Sequence, residues 1–553
     1  MIRDRRWGIQ FRTANVWFLA NVVLIAVMIA ALMRLDDLQV LEVGAATAGV
    51  AVVLGVITYR SRTLLGWLGR RLSYRRATHA PISVYSTSNV GHTWDGRQAS
   101  VYIALRPQPY EVTVIGSDEE STIRSIPIDA IREELTQFDI ACDHVSVLTF
   151  AYKYVEGSQA ATISHTAVGP IGAMLYGSTV LEVSVALNGS LDSVYARQST
   201  DGVAVGLSRT VTVAADRIRR RLQKLGWNAT LLTLGELEEF QEKVGAELVD
   251  KLDSEHWASC GASAMQASLF TPAASAWTAG NYSEWLKLNT HRHLEMLRLT
   301  RKRDGSDHAE LYLGYLNNDP NALKTVRATG LRPEFSQQAA ILTAAIPALL
   351  TEPTSAVQGK DLARSEAFPV PMQAGGVGTF VGLTKTRAQV FVNFSVGSEP
   401  FYLIAPAALC QQLLLRLSTS GLSIDIDIPG DEWKQFARNI GASYQKRPTA
   451  DVVLSNQEGL TRQARPTQVR LVWMTSEPRR IDFGIVAGPD ECVLTTPAGQ
   501  TRYRWLVSNA EEAMFTVRPR AATKGRHSAP ARELTNAKPA ASGPARRTSP
   551  PAR

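Results

Sequence analysis

Cysteine is scarce in this chain. Four occur in 553 residues, Cys142, Cys260, Cys410 and Cys492, and none forms a CxxC pair. So sparse a set excludes a disulfide framework and a zinc ribbon, and it suits a reducing compartment. The usual catalytic signatures are missing as well. Gly375-Gly-Val-Gly378 lacks the Lys-Ser/Thr that completes a Walker A loop, so it reads as a plain loop. No nucleophile elbow and no zincin spacing is present. His291 and His293 stand two apart with Cys260 far upstream, which does not assemble three metal ligands. His92, His144, His165, His256 and His308 are scattered. These residues give no reason to expect a catalytic, cofactor-binding or metal site.

A basic surplus is also absent where it would matter. The formal charge is +8, but residues 1–76 hold eleven Lys/Arg against four Asp/Glu, and residues 521–553 hold seven against one. What lies between is mildly acidic. The pI near 9.3 therefore argues for no nucleic-acid partner. Apolar residues make up 45% of the chain and charged residues 20%, enough to build substantial cores.

Long apolar runs are confined to the N-terminus, where there are two. Ala14–Met33 is uncharged over twenty residues, and Leu41–Tyr59 carries only Glu42, at its edge. At about 1.5 Å per residue each approaches the roughly 30 Å of a bilayer core. The seven residues between them, Arg34 to Val40, suffice for a tight helical hairpin. Arg3, Arg5, Arg6 and Arg12 precede the first run, and Arg60, Arg62, Arg70, Arg71, Arg75 and Arg76 follow the second. The connecting loop holds one arginine and two aspartates. Positive charge at both flanks predicts a two-pass protein of the cell inner membrane with both termini in the cytoplasm. The first run is too long for a typical signal-peptide core of about 7–15 residues, and a second run follows at once.

Within the second run, Gly44, Ala48, Ala51 and Gly55 share one helix face, as close helix packing requires. Asn15 and Asn21 of the first run could add hydrogen bonds between the helices. Ser61–Arg76 places leucines and Trp67 opposite arginines and reads as an interfacial helix against anionic lipid headgroups.

The expected fold class is α/β (α+β), with cytoplasmic domains following an N-terminal two-helix transmembrane hairpin. A short N-terminus (1–13), the hairpin (14–59) and a basic amphipathic linker helix (60–80) precede a first α/β domain over 81–250. There, Ala99–Leu105, Tyr110–Ile115, Asp143–Phe150, Val180–Leu187 and Ala229–Leu234 read as strands. Pro127–Phe138 and Val203–Leu225 read as helices, and Thr233 with Glu236 has capping-box spacing. Residues 251–374 read as a helix-rich middle segment and linker, with a strand at Leu311–Leu316 and a helix at Pro333–Leu350. Residues 375–520 read as a second α/β region, a possible repeat of the first, with a helix at Pro406–Ser418 and a strand at Leu422–Ile428. The Ala/Pro/Arg tail, 521–553, reads as disordered.

Asp425-Ile-Asp427 is the one arrangement with metal-binding chemistry. Both carboxylates project from one face of a strand, and a DxD can hold a divalent cation against a nucleotide-sugar diphosphate. That is the alternative reading, a membrane-anchored glycosyltransferase-like enzyme. The favoured reading is an edge strand with a polar outer face, its isoleucines turned inward.

The layout resembles the EccE family of the mycobacterial-type (ESX, type VII) secretion system. The resemblance rests on the two spans with their arginine-rich exit and on Val90-Gly91-His92-Thr93-Trp94-Asp95-Gly96-Arg97. It rests also on Ile126–Ser146, Arg217–Gly226 followed by Leu231–Glu236, and Leu409–Asp427. It implies a non-enzymatic subunit of an inner-membrane complex, with EccB, EccC and EccD type subunits as partners and no cofactor.

Overall fold

The computed structural model describes residues 7–9, 13–33, 36–55, 57–59, 62–65 and 68 of the N-terminal region, and residues 83–516 apart from 117–120, 155–158, 170, 199–201, 253, 262–264, 289, 318–329, 347–356, 358, 395–398, 447–449, 457–467 and 475–480. The tail and Arg60, Arg70, Arg71, Arg75 and Arg76 lie outside the described residues.

Strand β1 (Trp7–Ile9) is followed by helices α1 (Thr13–Leu32) and α2 (Asp37–Gly55), then strands β2 (Ile57–Tyr59) and β3 (Arg62–Thr63). α2 thus ends before Tyr59, the expected limit of the second run. Beyond Gly55 comes Val-Ile-Thr-Tyr, β-branched and aromatic residues that favour an extended chain, and β1 supplies a partner. The linker helix starts later than Ser61 for the same reason: Arg62 and Thr63 pair with β2, and helix resumes at Leu64.

The chain beyond the hairpin is built first on a large antiparallel sheet. Its strands are β4 (Ser83–Thr87), β5 (Val90–Trp94), β6 (Gln98–Arg106), β10 (His144–Tyr152), β11 (Tyr176–Ala186), β12 (Asn228–Leu231), β13 (Gln266–Pro272), β14 (Arg292–Arg301), β15 (Asp307–Asn317), β16 (Leu331–Pro333) and β17 (Lys360–Leu362). Between these run β7 (Val112–Ile115) and a small hairpin of β8 (Thr136–Gln137) and β9 (Ile140–Ala141). The order along the sheet is β16-β13-β15-β14-β10-β11-β6-β5-β4, with β12 beside β6 and β17 beside β15. Helices α3 (Ile128–Glu133), α4 (Gln159–Val168), α5 (Leu191–Gln198), α6 (Val203–Lys224), α7 (Leu234–Leu248), α8 (Ala279–Lys287) and α9 (Gln338–Ala344) accompany it.

Helical periodicity explains the two main covers. On α6, Leu207, Val211, Ala214, Ile218 and Leu222 fall on one face and are buried against Val101, Ile103, Leu181 and Val183. On α7, Leu237, Phe240, Val244 and Leu248 cover the opposite face, against Tyr102, Leu148 and Met296. The Thr233–Glu236 capping box that starts α7 is present on both sides.

Two expectations fail here. Residues 251–374 are not a helix-rich separate segment: β13 to β17 extend the first sheet, joined through β10 and β14. The basic run from Arg292 is strand β14, with Arg292 and Arg298 largely buried. The helix expected over Pro127–Phe138 stops at Glu133, because Thr136 and Gln137 leave it for β8, which turns back through Phe138, at φ +45°, to pair with β9.

A second sheet contains β20 (Phe401–Ile404), β21 (Ile424–Asp427), β22 (Ser443–Tyr444), β23 (Val452–Ser455), β24 (Val469–Met474), β25 (Gly484–Ala487), β26 (Cys492–Thr496) and β27 (Gly499–Tyr503). Its order is β22-β21-β23-β24-β20-β25-β26-β27, parallel as far as β25 and antiparallel beyond. Helices α10 (Ala407–Leu417) and α11 (Asp431–Ile440) make its crossovers, and α12 (Asn509–Glu512) closes the described chain. Hairpin-linked and crossover-linked sheets have different topologies, so the second region is not a copy of the first.

The two regions are not successive beads. Strands β18 (Thr379–Leu383) and β19 (Gln389–Val392) pair with β7, taken from the first region. Tyr110 is fully buried among Phe394, Phe401 and Phe483, and its hydroxyl donates to the Glu399 carbonyl at 2.6 Å. Ala160 of α4 belongs to the same second core.

Candidate functional site

α1 and α2 lie side by side. Gly44 faces Val27, whose Cγ2 would sit 3.2 Å from a Cβ at that glycine. Ala51 is buried beside Val23 and Leu65, Ala48 is half-buried, and the surroundings of Gly55 lie outside the description. Asn21 does not reach across: its amide donates to the Trp17 carbonyl, one turn back in its own helix, at 2.8 Å. The outer faces are apolar and exposed, with Leu24, Ile25, Met28, Ile29 and Val50 each more than half accessible. Such a surface needs an apolar surround. Among the described residues, one helical stretch, Asp37–Leu54, is long and apolar enough to cross a membrane, and the apolar part of α1, Ala20–Leu32, is shorter. Of the linker arginines only Arg62 is described, as part of β3.

Asp425 and Asp427 do not sit on an edge strand. β21 has β22 on one side and β23 on the other. Ile424, Ile426 and Ile428 are buried as expected, but Asp425 on the other face is fully buried too. One oxygen, Oδ1, accepts from the Ser443 hydroxyl and from the Lys446 amide at 3.1 Å. A strand inside a parallel sheet is covered on both faces, which is why alternation misleads here. Asp425 is a structural acceptor that ties β21 to β22 and to the chain just beyond it, and this geometry gives the glycosyltransferase-like alternative no support. Among the described residues, no group of three or more His, Cys, Asp or Glu is placed to hold a metal ion.

Sequence reasoning missed a belt of buried polar groups across the first sheet. Tyr102, Glu182, Ser146, Arg298 and Glu310 stand opposite one another in turn on β6, β11, β10, β14 and β15. A second row places Ser100 against Ser184 and Ser184 against His144. His144 Nε2 lies 3.2 Å from Glu182 Oε2, and its Nδ1 lies 3.0 Å from Asp143 Oδ2. At the far edge His308 and Lys302 both meet Asp361 at 2.6 Å. The segments are VLEVSVAL and HVSVLTF, whose polar positions alternate with apolar ones. Alternation reports only which face a residue is on, and this face is covered.

The belt is charged, with consequences for pH. Burial works against the His144 imidazolium, but the Glu182 carboxylate and the Asp143 hydrogen bond outweigh it and hold its pKa above 6.5. Burial likewise works against the Glu182 carboxylate, but His144 and Arg298 outweigh it and hold its pKa below 4.5. The His144 contribution to stability is complete below pH 6.5 and is lost as pH rises through the raised value. The Glu182 contribution is complete above pH 4.5 and is lost as pH falls through the lowered value. Stability from this pair therefore peaks between those limits. In Glu182→Gln the alkaline decline should flatten, and stability near pH 6 should fall by about 3–5 kcal/mol. Thermal melts of the full chain in detergent between pH 5 and 8.5 read both effects.

A second buried ion pair closes the other core. Arg416 of α10 meets Glu511 of α12 at 2.7 Å, and both side chains are almost wholly buried. Its guanidinium also donates to the carbonyls of Phe380, Val381 and Leu506. The loop Gly375–Gly378 links the two regions. Its amides donate from Gly375 to the Thr179 hydroxyl, from Val377 to the Met174 carbonyl and from Gly378 to the Leu175 carbonyl. These groups hold the fold, and none is arranged as a nucleophile with its base.

Residues 178–271, from β11 through the basic helix α6 to β13, match the EccE family, whose description assigns it provisionally to the type VII ESX secretion system translocon. The chain is also similar to ESX-1 secretion system protein EccE1 of Mycolicibacterium smegmatis (strain ATCC 700084 / mc(2)155), 22% identical over 457 residues, which cover 80% of this chain and 88% of that protein. The matched helix α6 and the capped start of α7 are among the elements that carry the resemblance, and over these elements the chain is similar to the EccE family of the ESX secretion system.

Proposed function

We propose that this chain is a non-enzymatic structural subunit of the type VII (ESX) inner-membrane complex, supporting assembly and stability of the export machinery. One observation carries the reading. Charged side chains that could have done chemistry are buried in pairs within the folded cores, as His144–Glu182, Arg132–Asp307 and Arg416–Glu511, where they fix the fold. The hairpin is the anchor. The small-residue face of α2 packs on α1, and both exposed faces are apolar. The arginine flanks favour two passes with both termini in the cytoplasm, and the linker arginines would rest on anionic headgroups. The partners are then subunits of the EccB, EccC and EccD type.

The test is recovery of the tagged full chain from its own membranes in mild detergent, with mass spectrometry of what accompanies it. A large assembly containing an FtsK-like ATPase is expected, and deletion of the chain should weaken assembly or export. Purification of the chain alone, with normal export in its absence, would overturn the reading. Protease added outside sealed spheroplasts should spare the soluble part.

A further inference from the structure

Phe138 is 98% accessible, the most exposed large apolar side chain among the described residues. It sits at the tip of the β8–β9 hairpin, where Gln137 pairs with Ile140. Its φ of +45° lies in the left-handed region that glycine and asparagine normally occupy in such turns. An aromatic ring in water and a Cβ at positive φ both work against the folded chain taken alone.

The tip cannot retract. Gln137 is buried, and its amide donates to the carbonyls of Glu134 at 3.0 Å and Ala214 at 3.2 Å. Asp139 accepts from the Ser193 hydroxyl at 2.9 Å and pairs with Arg197 at 2.7 Å. The Arg217 guanidinium lies 5.4 Å from the ring centre of Phe138. Arg197 and Arg217 both face Asp139, Arg221 pairs with Glu133, and on the same helix α6 Arg219 and Arg220 share Asp216, so that in these pairs five arginines meet three carboxylates; Arg220 is 69% exposed. The surface is a rigid aromatic knob in a positive surround.

We propose that Phe138 and its arginines form a docking knob that enters an apolar socket rimmed by Asp and Glu carboxylates on another protein subunit. This rests on the scaffold reading above and gives it a surface. Charge complementarity selects the occupant. A second copy of the chain would bring the same positive excess and be repelled. A lipid surface suits cations free to spread over it, whereas these arginines are tied to carboxylates and surround a single ring.

Two experiments on the full chain in its own membranes test the proposal. Phe138→Gly accepts the positive φ without strain, so its melting temperature should equal or exceed that of the parent chain. Incorporation into the large complex on native gels should nevertheless fall by about 30-fold, the loss of an interface anchor. Arg220→Glu should weaken incorporation by roughly tenfold through the charge surround. A lower melting temperature for Phe138→Gly, or unchanged incorporation, would overturn the proposal.

A photo-crosslinking benzoylphenylalanine at position 138 identifies the neighbour. An adduct on an apolar segment flanked by Asp/Glu of another subunit supports the knob. Adducts only to lipid, only to a second copy, or to nothing would overturn it. If the parent chain enters no large complex, it is the scaffold reading that fails; if the parent enters and Phe138→Gly enters equally, only the knob does.

Discussion

Arg416→Met should destabilise the protein by about 3–5 kcal/mol, because it leaves the Glu511 carboxylate buried without its partner cation. The geometry explains the size of the loss. Arg416 Nε meets Glu511 Oε1 at 2.7 Å, while Gln412 and the Ser508 amide donate to Oε2 at 2.6 and 2.9 Å. The same guanidinium stacks 4.8 Å from the Phe380 ring centre. One side chain thus joins α10, strand β18 and the last described turn. Burial works against the Glu511 carboxylate, but Arg416 outweighs it and holds its pKa below 4.5. The stabilisation is therefore present above that pH and lost on acidification through the lowered value. In denaturant titrations of the full chain in detergent, Arg416→Met should lower the midpoint. The pair Arg416→Met with Glu511→Leu should recover much of the loss, since an apolar replacement removes the stranded charge. A double variant as weak as the single one would show that the backbone hydrogen bonds of Arg416, and not the ion pair, dominate.

Gly378→Ala should cost on the order of 3 kcal/mol or more, for two reasons that add. Gly378 has φ +98°, where a Cβ is strained. A Cβ there would also stand 2.2 Å from the Val392 carbonyl oxygen and 2.6 Å from the Asn393 Cα, both backbone atoms that cannot rotate away. Moving the loop would break the Gly378 amide bond to the Leu175 carbonyl, 2.7 Å long. Because this loop joins the first sheet to β18 and β19, the lesion should loosen both regions together. Limited proteolysis would report it as new cleavage near residues 370–400, beside a lower melting temperature. Gly305→Ala is the control: φ is also positive, +84°, but nothing lies within 4 Å of the added Cβ. Its cost should be that of the backbone conformation alone, about 1–2 kcal/mol.

Much of the local structure was legible because it is set by neighbours in sequence. The apolar stripe of α6, the Thr233–Glu236 cap, strand β6 and helix α10 each announce themselves within one or two turns. What misled was inference from polarity to solvent. Glu182, His144 and Asp425 occupy the polar positions of alternating strands, yet each is buried, because other segments cover that face. The Asp425-Ile-Asp427 motif therefore looked available for a cation when half of it was committed to Ser443 and Lys446. The helix expected through Phe138 failed where a backbone turn, invisible to side-chain periodicity, redirected the chain.

By itself the sequence determined that two apolar runs with arginine flanks open the chain, that strands and helices mix behind them, and that no recognisable catalytic motif follows. These depend on hydropathy, short-range periodicity and composition, which act within about 20 residues. Only the tertiary structure decided that residues 251–374 complete the first sheet, that β7 crosses over to pair with β19, and that a charged belt lies beneath a covered face. Such pairings join residues up to hundreds of positions apart. They are selected by which surfaces bury each other best, a contest between distant segments that no local window records.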